Sequence, residues 1–301
     1  MKRRHFIQRL GLAASLPWLG RVALAAADAP QKTNAGSHKI LTCNIRVDLP
    51  ADGQAGNGWA DRQELCAKVM RGQRADLICL QECQAVHLKH LKSRLPQFDS
   101  FALANPGAVF HPSNAILFSR ARYEMISAGG FWLSEKPHVA GSKSWDSAHS
   151  RFVNWVHLKE RHSGKEFRAW NTHLDNISQA AREKKAELIV QASAALPKAF
   201  PQLLTGDFNA NADSPAVKLV TAGGWTDTYT AVHGPEEPGF TYHGFLGPRY
   251  AENNPKGKPK DKIDWVWYRG EVKALAAEVI RDGRNGRYPS DHYFVSAVVA
   301  L

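Results

Sequence analysis

Residues 203–209, Leu-Leu-Thr-Gly-Asp-Phe-Asn, decide the fold and the kind of site that this chain can build. The apolar run that leads into them predicts a buried strand, and Gly206 allows a close turn of the backbone at the strand end. In extended chain Asp207 and Asn209 share one face, while Phe208 points to the opposite face, toward a core. A carboxylate beside a carboxamide at a strand end suits a site that holds water, a metal ion or phosphate.

Strands and helices alternate in the N-terminal part of the chain. The first four predicted elements are a strand over residues 39–47, a helix over 60–72, a strand over 76–82 and a helix that ends at Pro96. In the first strand Asn44 shares a face with Thr42 and Arg46. The second strand ends in Gln81-Glu82. A strand–helix–strand unit favours an α/β fold over an all-β fold.

Short alternating runs in the middle of the chain predict antiparallel strands joined by turns. The remaining predicted elements are strands at 114–118, 130–133, 152–158, 166–170, 262–268 and 293–301, and helices that run from the cap residue Ser178 to 195 and from Pro215 to 223. Residues 224–261 are predicted to be rich in loops. Since we find no internal repeat and no dividing linker, the sequence predicts a single domain over residues 38–301.

Residues 1–27 predict a twin-arginine export signal. A Lys-Arg-Arg cluster at residues 2–4 precedes an apolar run over residues 10–19, and small residues at 23–27 supply a cleavage site. The apolar run is too short to span a bilayer, which takes about 20 residues, so no stable membrane insertion is expected. The protein is therefore expected to use the twin-arginine export machinery and to be periplasmic or secreted, with a polar leader over residues 28–37.

The charge of the chain is moderately basic once this signal is removed. The 301 residues carry a formal charge of +11, and residues 1–27 contain five Lys and Arg and no acid, so the charge falls to +6. That excess favours an anionic substrate rather than a protein that coats nucleic acid. One loop holds five cations, namely Arg249, Lys256, Lys258, Lys260 and Lys262. They form either a solvated surface loop, which is the commoner arrangement, or a funnel for a polyanionic substrate.

The four cysteines show no spacing that is typical of a zinc site. They are Cys43, Cys66, Cys79 and Cys83. Cys43 and Cys79 lie inside apolar runs, where a buried free thiol is usual. Twin-arginine cargo typically folds in a reducing compartment before export, so free thiols are expected rather than disulfides.

Acids, amides and imidazoles recur near the ends of six strand-like runs. With a further stretch at residues 151–155, the stretches that carry the resemblance number seven, and they are residues 42–46, 80–82, 151–155, 171–175, 206–209, 263–266 and 290–292. In this order they resemble the endonuclease/exonuclease/phosphatase superfamily, which includes DNase I-like nucleases and inositol polyphosphate 5-phosphatases. The resemblance covers residues 39–301 and implies a four-layer α/β sandwich. Two mixed β-sheets would pack face to face with helices outside, and the site would lie where the strand ends of both sheets meet.

The resemblance also implies a divalent metal, Mg²⁺ or Mn²⁺. Phosphoester cleavage needs an activated water, shielding of the phosphate oxygens and help for the leaving oxygen. Glu82 would be the main metal ligand, with Asn44 beside it and Asp291 as a further candidate ligand. One or two carboxylates are enough, because Mg²⁺ in proteins usually keeps several waters and binds the substrate phosphate as well.

Catalysis is implied for five residues, which are His173, Asp207, Asn209, Asp264 and His292. Asp207 would orient or deprotonate the attacking water, and Asn209 would position that water or a phosphate oxygen. Asp264 would hydrogen-bond His292, which would fix its tautomer and raise its pKa so that it meets the phosphate as a cation. The sequence leaves open whether Asp207 or His292 is the general base.

The residues implied to contact phosphate oxygens are Arg151, Asn171, Asn209 and His173. His173 is also the candidate acid for the leaving group. Many relatives carry a glutamate that supports the site histidine, whereas this chain has Pro112-Ser113-Asn114 in that segment. The partner of His173 is therefore open, and Asp175 is the candidate because it lies on the same strand face.

Together these features predict a metal-dependent hydrolase of an anionic phosphoester, and a monomer. Water would attack a Mg-bound phosphate, and a phosphodiester is preferred, as in a nuclease or a phospholipid or sugar-phosphate diesterase, so nucleic acid is among the candidate substrates. The alternatives are a phosphomonoesterase acting on a sugar or inositol phosphate, and a catalytically idle binding protein on the same fold. The motifs concern the reacting phosphate and carry little information about the groups attached to it.

Overall fold

The computed structural model describes residues 36–103, 112–236, 238–252 and 262–301. The predicted export signal, and all of the predicted leader except its last two residues, lie outside the described residues. So do Lys256, Lys258 and Lys260 of the basic loop. Within the described ranges, none of the helices has the length and apolar character that crossing a bilayer requires.

Twelve strands and seven helices make up the described part of the chain. The strands are β1 (Ser37–Asn44), β2 (Leu77–Gln81), β3 (Phe98–Phe101), β4 (Ile116–Ser119), β5 (Tyr123–Trp132), β6 (Phe152–Glu160), β7 (Glu166–His173), β8 (Gln202–Asp207), β9 (Thr226–Asp227), β10 (Asp264–Arg269), β11 (Lys273–Ile280) and β12 (Phe294–Ala300). The helices are α1 (Pro50–Gln54), α2 (Trp59–Gln73), α3 (Ala85–Arg94), α4 (Gln179–Ala194), α5 (Pro215–Ala222), α6 (Thr228–His233) and α7 (Arg249–Glu252).

The strands form two six-stranded sheets of mixed direction. The first sheet has the order β11-β12-β1-β2-β4-β3, and the second has the order β5-β6-β7-β8-β10-β9. Each contains one parallel pair, β1 with β2 and β7 with β8, among antiparallel neighbours. Parallel neighbours end at the same edge of a sheet, so the ends of β1, β2, β7 and β8 bring their polar residues together.

Alternation of side chains along the strands produces the layers. In β1, Leu41 and Cys43 pack into a core with residues of α2 and α3, on the outer face of the first sheet. Ile40 points the other way and packs with Leu203 of β8 in the core between the two sheets. Leu204, next to Leu203, packs with residues of α4 and α5. The predicted four-layer α/β sandwich is therefore confirmed.

Gly206 lets β8 approach β7 directly beside the site. Its φ is +152°, and a Cβ at this position would lie 2.2 Å from the carbonyl oxygen of Thr172. A side chain at residue 206 would therefore push apart the two strands that carry His173 and Asp207, which are register partners. This geometry explains why glycine precedes the aspartate.

Asn171 joins the two sheets and does not reach the site. Its side-chain nitrogen donates to the carbonyls of Leu80 and Ala115, at 2.8 and 3.1 Å. Its oxygen accepts from Gln81, at 2.6 Å, and from the hydroxyl of Thr205. With its polar atoms used and its side chain fully buried, Asn171 cannot contact a substrate phosphate, so that prediction is wrong.

Several elements differ from those predicted. The Gly-rich segment before α2 contains α1, and residues 224–261, predicted as loop, contain β9, α6 and α7. The edge strand β11 was not predicted, since Lys-Ala-Leu-Ala-Ala-Glu-Val-Ile alternates poorly and is rich in helix formers. Lys262 is buried against Asp227 rather than exposed, so it cannot belong to a cationic funnel.

All four cysteines are buried as free thiols. Burial raises the pKa of the thiols of Cys66, Cys79 and Cys83 to about 12, so they stay protonated and unreactive at neutral pH. This arrangement agrees with the prediction of free thiols.

Candidate active site

The strand ends of the two sheets enclose a cleft of about 620 Å³. Seven of the predicted site residues line it, which are Glu82, Arg151, His173, Asp207, Asn209, Asp291 and His292. Asn44 and Asp264 are buried behind this lining, where they hold lining residues in place. The structure thus brings together every predicted site residue except Asn171.

Asp207 is the buried acid on which the cleft residues converge. Its Oδ1 accepts a hydrogen bond from the backbone nitrogen of Asn209 at 2.8 Å, and its Oδ2 accepts one from the amide of Asn44 at 2.9 Å. The same Oδ2 lies 3.4 Å from Nε2 of His173 and 3.8 Å from Nε2 of His292. Burial, and then a neighbouring carboxylate, raise the pKa of Asp207 to about 7. A carboxylate with that pKa can accept a proton from water near neutral pH.

His292 lies just before β12 of the first sheet, and Asp264 begins β10 of the second sheet. Nδ1 of His292 lies 2.9 Å from Oδ2 of Asp264, so this pair connects the two sheets. Burial is the largest single influence and lowers the pKa of His292. The carboxylates of Asp264, Asp207 and Asp291 outweigh it and raise that pKa to about 10. His292 is therefore a cation at neutral pH, and both the predicted hydrogen bond and the predicted direction of the pKa shift are present.

Glu82 offers a suitable place for a divalent cation. Its Oε1 accepts from the amide of Asn44 at 3.1 Å, and its Oε2 accepts from the backbone nitrogen of Val47 at 2.8 Å. Each carboxylate oxygen keeps a further lone pair for a metal. Asp291 lines the same cleft, and two carboxylates completed by waters and substrate phosphate form a usual Mg²⁺ site. The donor set therefore fits Mg²⁺ or Mn²⁺.

Two other candidates for binding the metal ion fit less well, the group of Asp207, Asp264 and His292 and the single residue Asn44. Asp207, Asp264 and His292 lie close enough to hold a cation, but the protonated imidazole already balances the carboxylates there. Asn44 turns its amide nitrogen toward Glu82 and Asp207, and its oxygen accepts from the backbone nitrogen of Arg46 at 3.0 Å. Asn44 thus holds the two carboxylates in place, and its role as a metal ligand stays a prediction.

Three residues of the cleft have left-handed backbone conformations. The φ angles are 57° for Arg46, 57° for Glu82 and 48° for Asn209. Such conformations are uncommon for residues other than glycine, and they cluster at functional sites. Arg46 also places its guanidinium 2.8 Å from Asp52 and 3.5 Å from Asp291, so a cation lies beside the second candidate metal ligand.

His173 is buried in the cleft wall. Burial, followed by the charges of Arg151 and His292, lowers its pKa well below the usual value, so the ring is neutral. Its Nε2 lies 3.0 Å from the side-chain nitrogen of Asn209 and 3.4 Å from Asp207. A neutral ring already engaged by these groups is a poor proton donor, so the structure does not support His173 as the acid for the leaving group.

Asp175 is not the partner of His173. One of its oxygens accepts from the backbone nitrogens of Ile177 and Ser178 at the start of α4, and the other faces Ser147. The structure thus answers the question raised by the missing glutamate, because Asn209 and Asp207 occupy the position next to the histidine ring.

Arg151 and His149 form a cationic side of the cleft. Arg151 is 9% exposed, and its Nε has no acceptor among the described residues. A buried guanidinium nitrogen without an acceptor is costly, and a phosphate oxygen in the cleft would supply one. His149 is exposed and lies two residues earlier on the same segment.

Sequence reasoning missed several lining residues, which are Arg46, His149, Asn176 and Tyr242. Arg46 was detectable, since it shares the strand face of Asn44. Tyr242 was not, because it lies in a region without periodicity, yet its ring meets the edge of His292 with centroids 5.1 Å apart.

In the metal-free protein, the free energy of unfolding should fall as the pH rises from about 6.5 toward about 10, because of His292. The folded-state pKa lies above the ordinary value of 6.5, so the folded state binds the proton more tightly than the unfolded chain does. This stabilisation is fully present below pH 6.5 and is lost as the pH passes through about 10. Urea unfolding in EDTA across this range measures it, and His292→Asn should lack this part of the slope. Equal slopes in the two proteins would contradict the prediction.

Comparison with known proteins places this geometry in context. The family model for the endonuclease/exonuclease/phosphatase family matches residues 41–292. A protein of that family from Bacteroides thetaiotaomicron is 26% identical with a TM-score of 0.79, over 88% of this chain and 98% of the other. A mannosyl-6-phosphatase from the same organism is 26% identical with a TM-score of 0.78, over 88% of this chain and all of the other.

TDP2 from D. rerio, solved with a single-strand DNA product, is 18% identical with a TM-score of 0.68, over 88% of this chain and 99% of the other. At that identity the likeness concerns the fold alone. A comparison with curated proteins finds no match.

Proposed function

The chain belongs to the endonuclease/exonuclease/phosphatase family, and from that premise we propose that it hydrolyses a phosphoester by the attack of water that Asp207 activates. One observation carries the proposal. An acid whose pKa is about 7 lies in the same cleft as a histidine cation, a buried arginine and two carboxylates fit for a divalent metal. Few other reactions need this combination.

Asp207 is the general base in this mechanism. The raised pKa of His292, about 10, keeps its ring protonated at neutral pH, which supports Asp207 rather than His292 as the base. Asp207 is held by Asn44 and by the backbone of Asn209, so its carboxylate is fixed before the substrate arrives. It would orient the attacking water and take its proton.

The cations of the cleft stabilise the negative charge on the phosphate. His292 is held by Asp264, and Nε of Arg151 has no acceptor within the described part of the chain, so both can bind phosphate oxygens without rearrangement. A divalent cation held by Glu82 and Asp291, when bound, would shield further phosphate oxygens and stabilise the leaving oxygen. Asn209 is held beside His173 and would position the phosphate or the water.

Two substrate classes fit the cleft. A sugar phosphomonoester comes first, because the mannosyl-6-phosphatase is similar over 88% of this chain. The phosphodiester that the sequence favoured is the second, since about 620 Å³ leaves room for a group on each side of a phosphate. Hexose 6-phosphates, inositol phosphates, sphingomyelin, RNA and plasmid DNA, each assayed with Mg²⁺ and with EDTA, distinguish the two classes. A folded protein that hydrolyses none of them would favour the idle binding protein.

Glu82→Gln should raise the Mg²⁺ concentration for half-maximal activity by about tenfold to a hundredfold, with a smaller effect on the rate at saturating metal. Gln keeps one oxygen for Asn44 or Val47 but removes the charge that attracts the cation. Titration of activity with Mg²⁺ measures the change, and Glu64→Gln, an exposed acid on α2, is the matched control. An unchanged metal requirement in Glu82→Gln would exclude Glu82 as the main ligand.

We also propose that residues 1–27 direct export by the twin-arginine route and that the mature protein acts as a periplasmic or secreted monomer. The proposal rests on the basic cluster, the short apolar run and the small residues of this segment. Replacing Arg3 and Arg4 by Lys should retain the protein in the cytoplasm, which cell fractionation and immunoblotting detect. Efficient export of that variant would exclude the twin-arginine route.

A further inference from the structure

Lys185, on α4, is a completely buried lysine close to the cleft. Its ammonium group donates a hydrogen bond to the hydroxyl of Ser147 and lies 3.9 Å from a carboxylate oxygen of Asp175. Burial lowers the pKa of Lys185 to about 8, so the folded state keeps this charge at a cost in stability. Stability alone therefore does not explain the lysine.

Asp175 does not need Lys185 in order to be satisfied. One carboxylate oxygen accepts from the backbone nitrogens of Ile177 and Ser178, at 3.0 and 2.8 Å. The other lies 2.7 Å from the hydroxyl of Ser147 and 3.4 Å from the backbone nitrogen of His149. Removal of the ammonium group would thus leave the buried carboxylate with four hydrogen-bonding partners, although without a compensating cation.

The same contacts hold the segment of residues 145–151 against the start of α4. The hydroxyl of Ser147 lies 2.7 Å from the carbonyl oxygen of His149, and the hydroxyl of Ser178 donates to the carbonyl of Trp145 at 2.9 Å. The ammonium group of Lys185 can only donate hydrogen bonds, so it occupies a lone pair of the Ser147 hydroxyl oxygen. The hydroxyl proton of Ser147 must then point toward its acceptors, the carbonyl oxygen of His149 and the carboxylate of Asp175. The segment leads directly to Arg151 in the cleft wall.

We infer that Lys185 is a positioning residue, which holds segment 145–151 through Ser147 so that Arg151 and His149 meet the substrate phosphate. The expected effect on catalysis rests on the proposed function, whereas the restraint on segment 145–151 does not. Lys185 contacts neither the cleft lining nor a candidate metal ligand, so apart from the long-range effect of its charge on His173 and Arg151 it acts through the segment.

The test is Lys185→Met, with Lys184→Met as the matched control. Met fills the space of the buried stem without a charge, whereas Lys184 is the adjacent lysine, exposed and paired with Glu187. For Lys185→Met we expect KM for the phosphoester to rise about tenfold with kcat within about twofold, and a lower melting temperature, because Asp175 loses its compensating charge. Ser147→Ala should raise KM in the same direction. Unchanged KM in Lys185→Met and Ser147→Ala would overturn the inference.

Hydrogen exchange of the metal-free protein separates this inference from the proposed function. Lys185→Met should exchange the amides of residues 145–151 at least about tenfold faster than the wild type, whereas Lys184→Met should not. Faster exchange in Lys185→Met supports the restraint even if the wild-type protein hydrolyses none of the tested phosphoesters. Such an inactive wild type would count against the proposed function only. Unchanged exchange in a well-folded Lys185→Met protein overturns the inference, whatever the activity.

Discussion

Asp207→Asn should lower kcat by about a thousandfold or more while the protein stays folded. The substitution keeps the shape of the side chain but removes the group that takes the proton of the attacking water. The folded state already favours the neutral form of this carboxyl, since its pKa is raised to about 7 by burial. A neutral amide avoids the cost of the buried charge but can accept from only one of Asn44 and the backbone nitrogen of Asn209, so a modest loss of stability is expected in the metal-free protein.

The pH profile distinguishes a lost base from a distorted cleft. In the wild type, log(kcat/KM) should rise with pH up to about 7 as Asp207 loses its proton, and then level off. The residual activity of Asp207→Asn should lack this rising limb. Single-turnover rates over the pH range measure both, with Asp213→Asn, an exposed acid before α5, as the control. A variant that keeps the rising limb and a kcat within tenfold of the wild type would exclude Asp207 as the base.

His292→Gln should lower kcat by about a hundredfold to a thousandfold, the usual effect of losing one donor that stabilises transition-state charge. Gln can still donate a hydrogen bond but carries no charge, so most of the electrostatic stabilisation is lost. KM should change less, because the charge on the phosphate oxygens grows in the transition state. Steady-state kinetics with saturating Mg²⁺ measures the separation of kcat from KM.

Asp264→Asn provides the companion to this variant. Asp264 contributes most to raising the pKa of His292 to about 10, so its neutral replacement should leave the histidine uncharged over more of the alkaline range. The falling limb of the pH profile should then move from near pH 10 toward neutral pH. If Asp264→Asn left that limb in place, the activity would not depend on the charge of His292.

The sequence predicted the position of most site residues because strand periodicity and chain order are local properties. Polar residues that end buried strands must meet where the strand ends meet, as Glu82, His173 and Asp207 do. Asn171 shows where this reasoning fails. It lies on the correct face of β7, but it pairs with Thr205, two residues deeper than the pair of His173 and Asp207. The periodicity of a strand shows on which face a side chain lies. How deep that side chain lies between the two sheets depends on the register of the strands.

Roles were harder to predict than positions, because they depend on neighbours from distant parts of the chain. Which atom of Asn44 faces the cleft is decided by Asp207, 163 residues later. The neutral state of His173 follows from burial and from the cations of Arg151 and His292. No local pattern contains these contacts, so the charge of His292 was predicted only through the family resemblance, and the neutral state of His173 was not predicted.

The position of β12 has a consequence for folding. The second sheet is built from one continuous stretch of chain, but the first is completed only when β12 inserts between β1 and β11, which lie far apart in sequence. Asp291 and His292 lie just before β12, so the cleft gains both residues only when this strand docks. The proposed activity should therefore return late in refolding, and the appearance of turnover would time the closure of the first sheet.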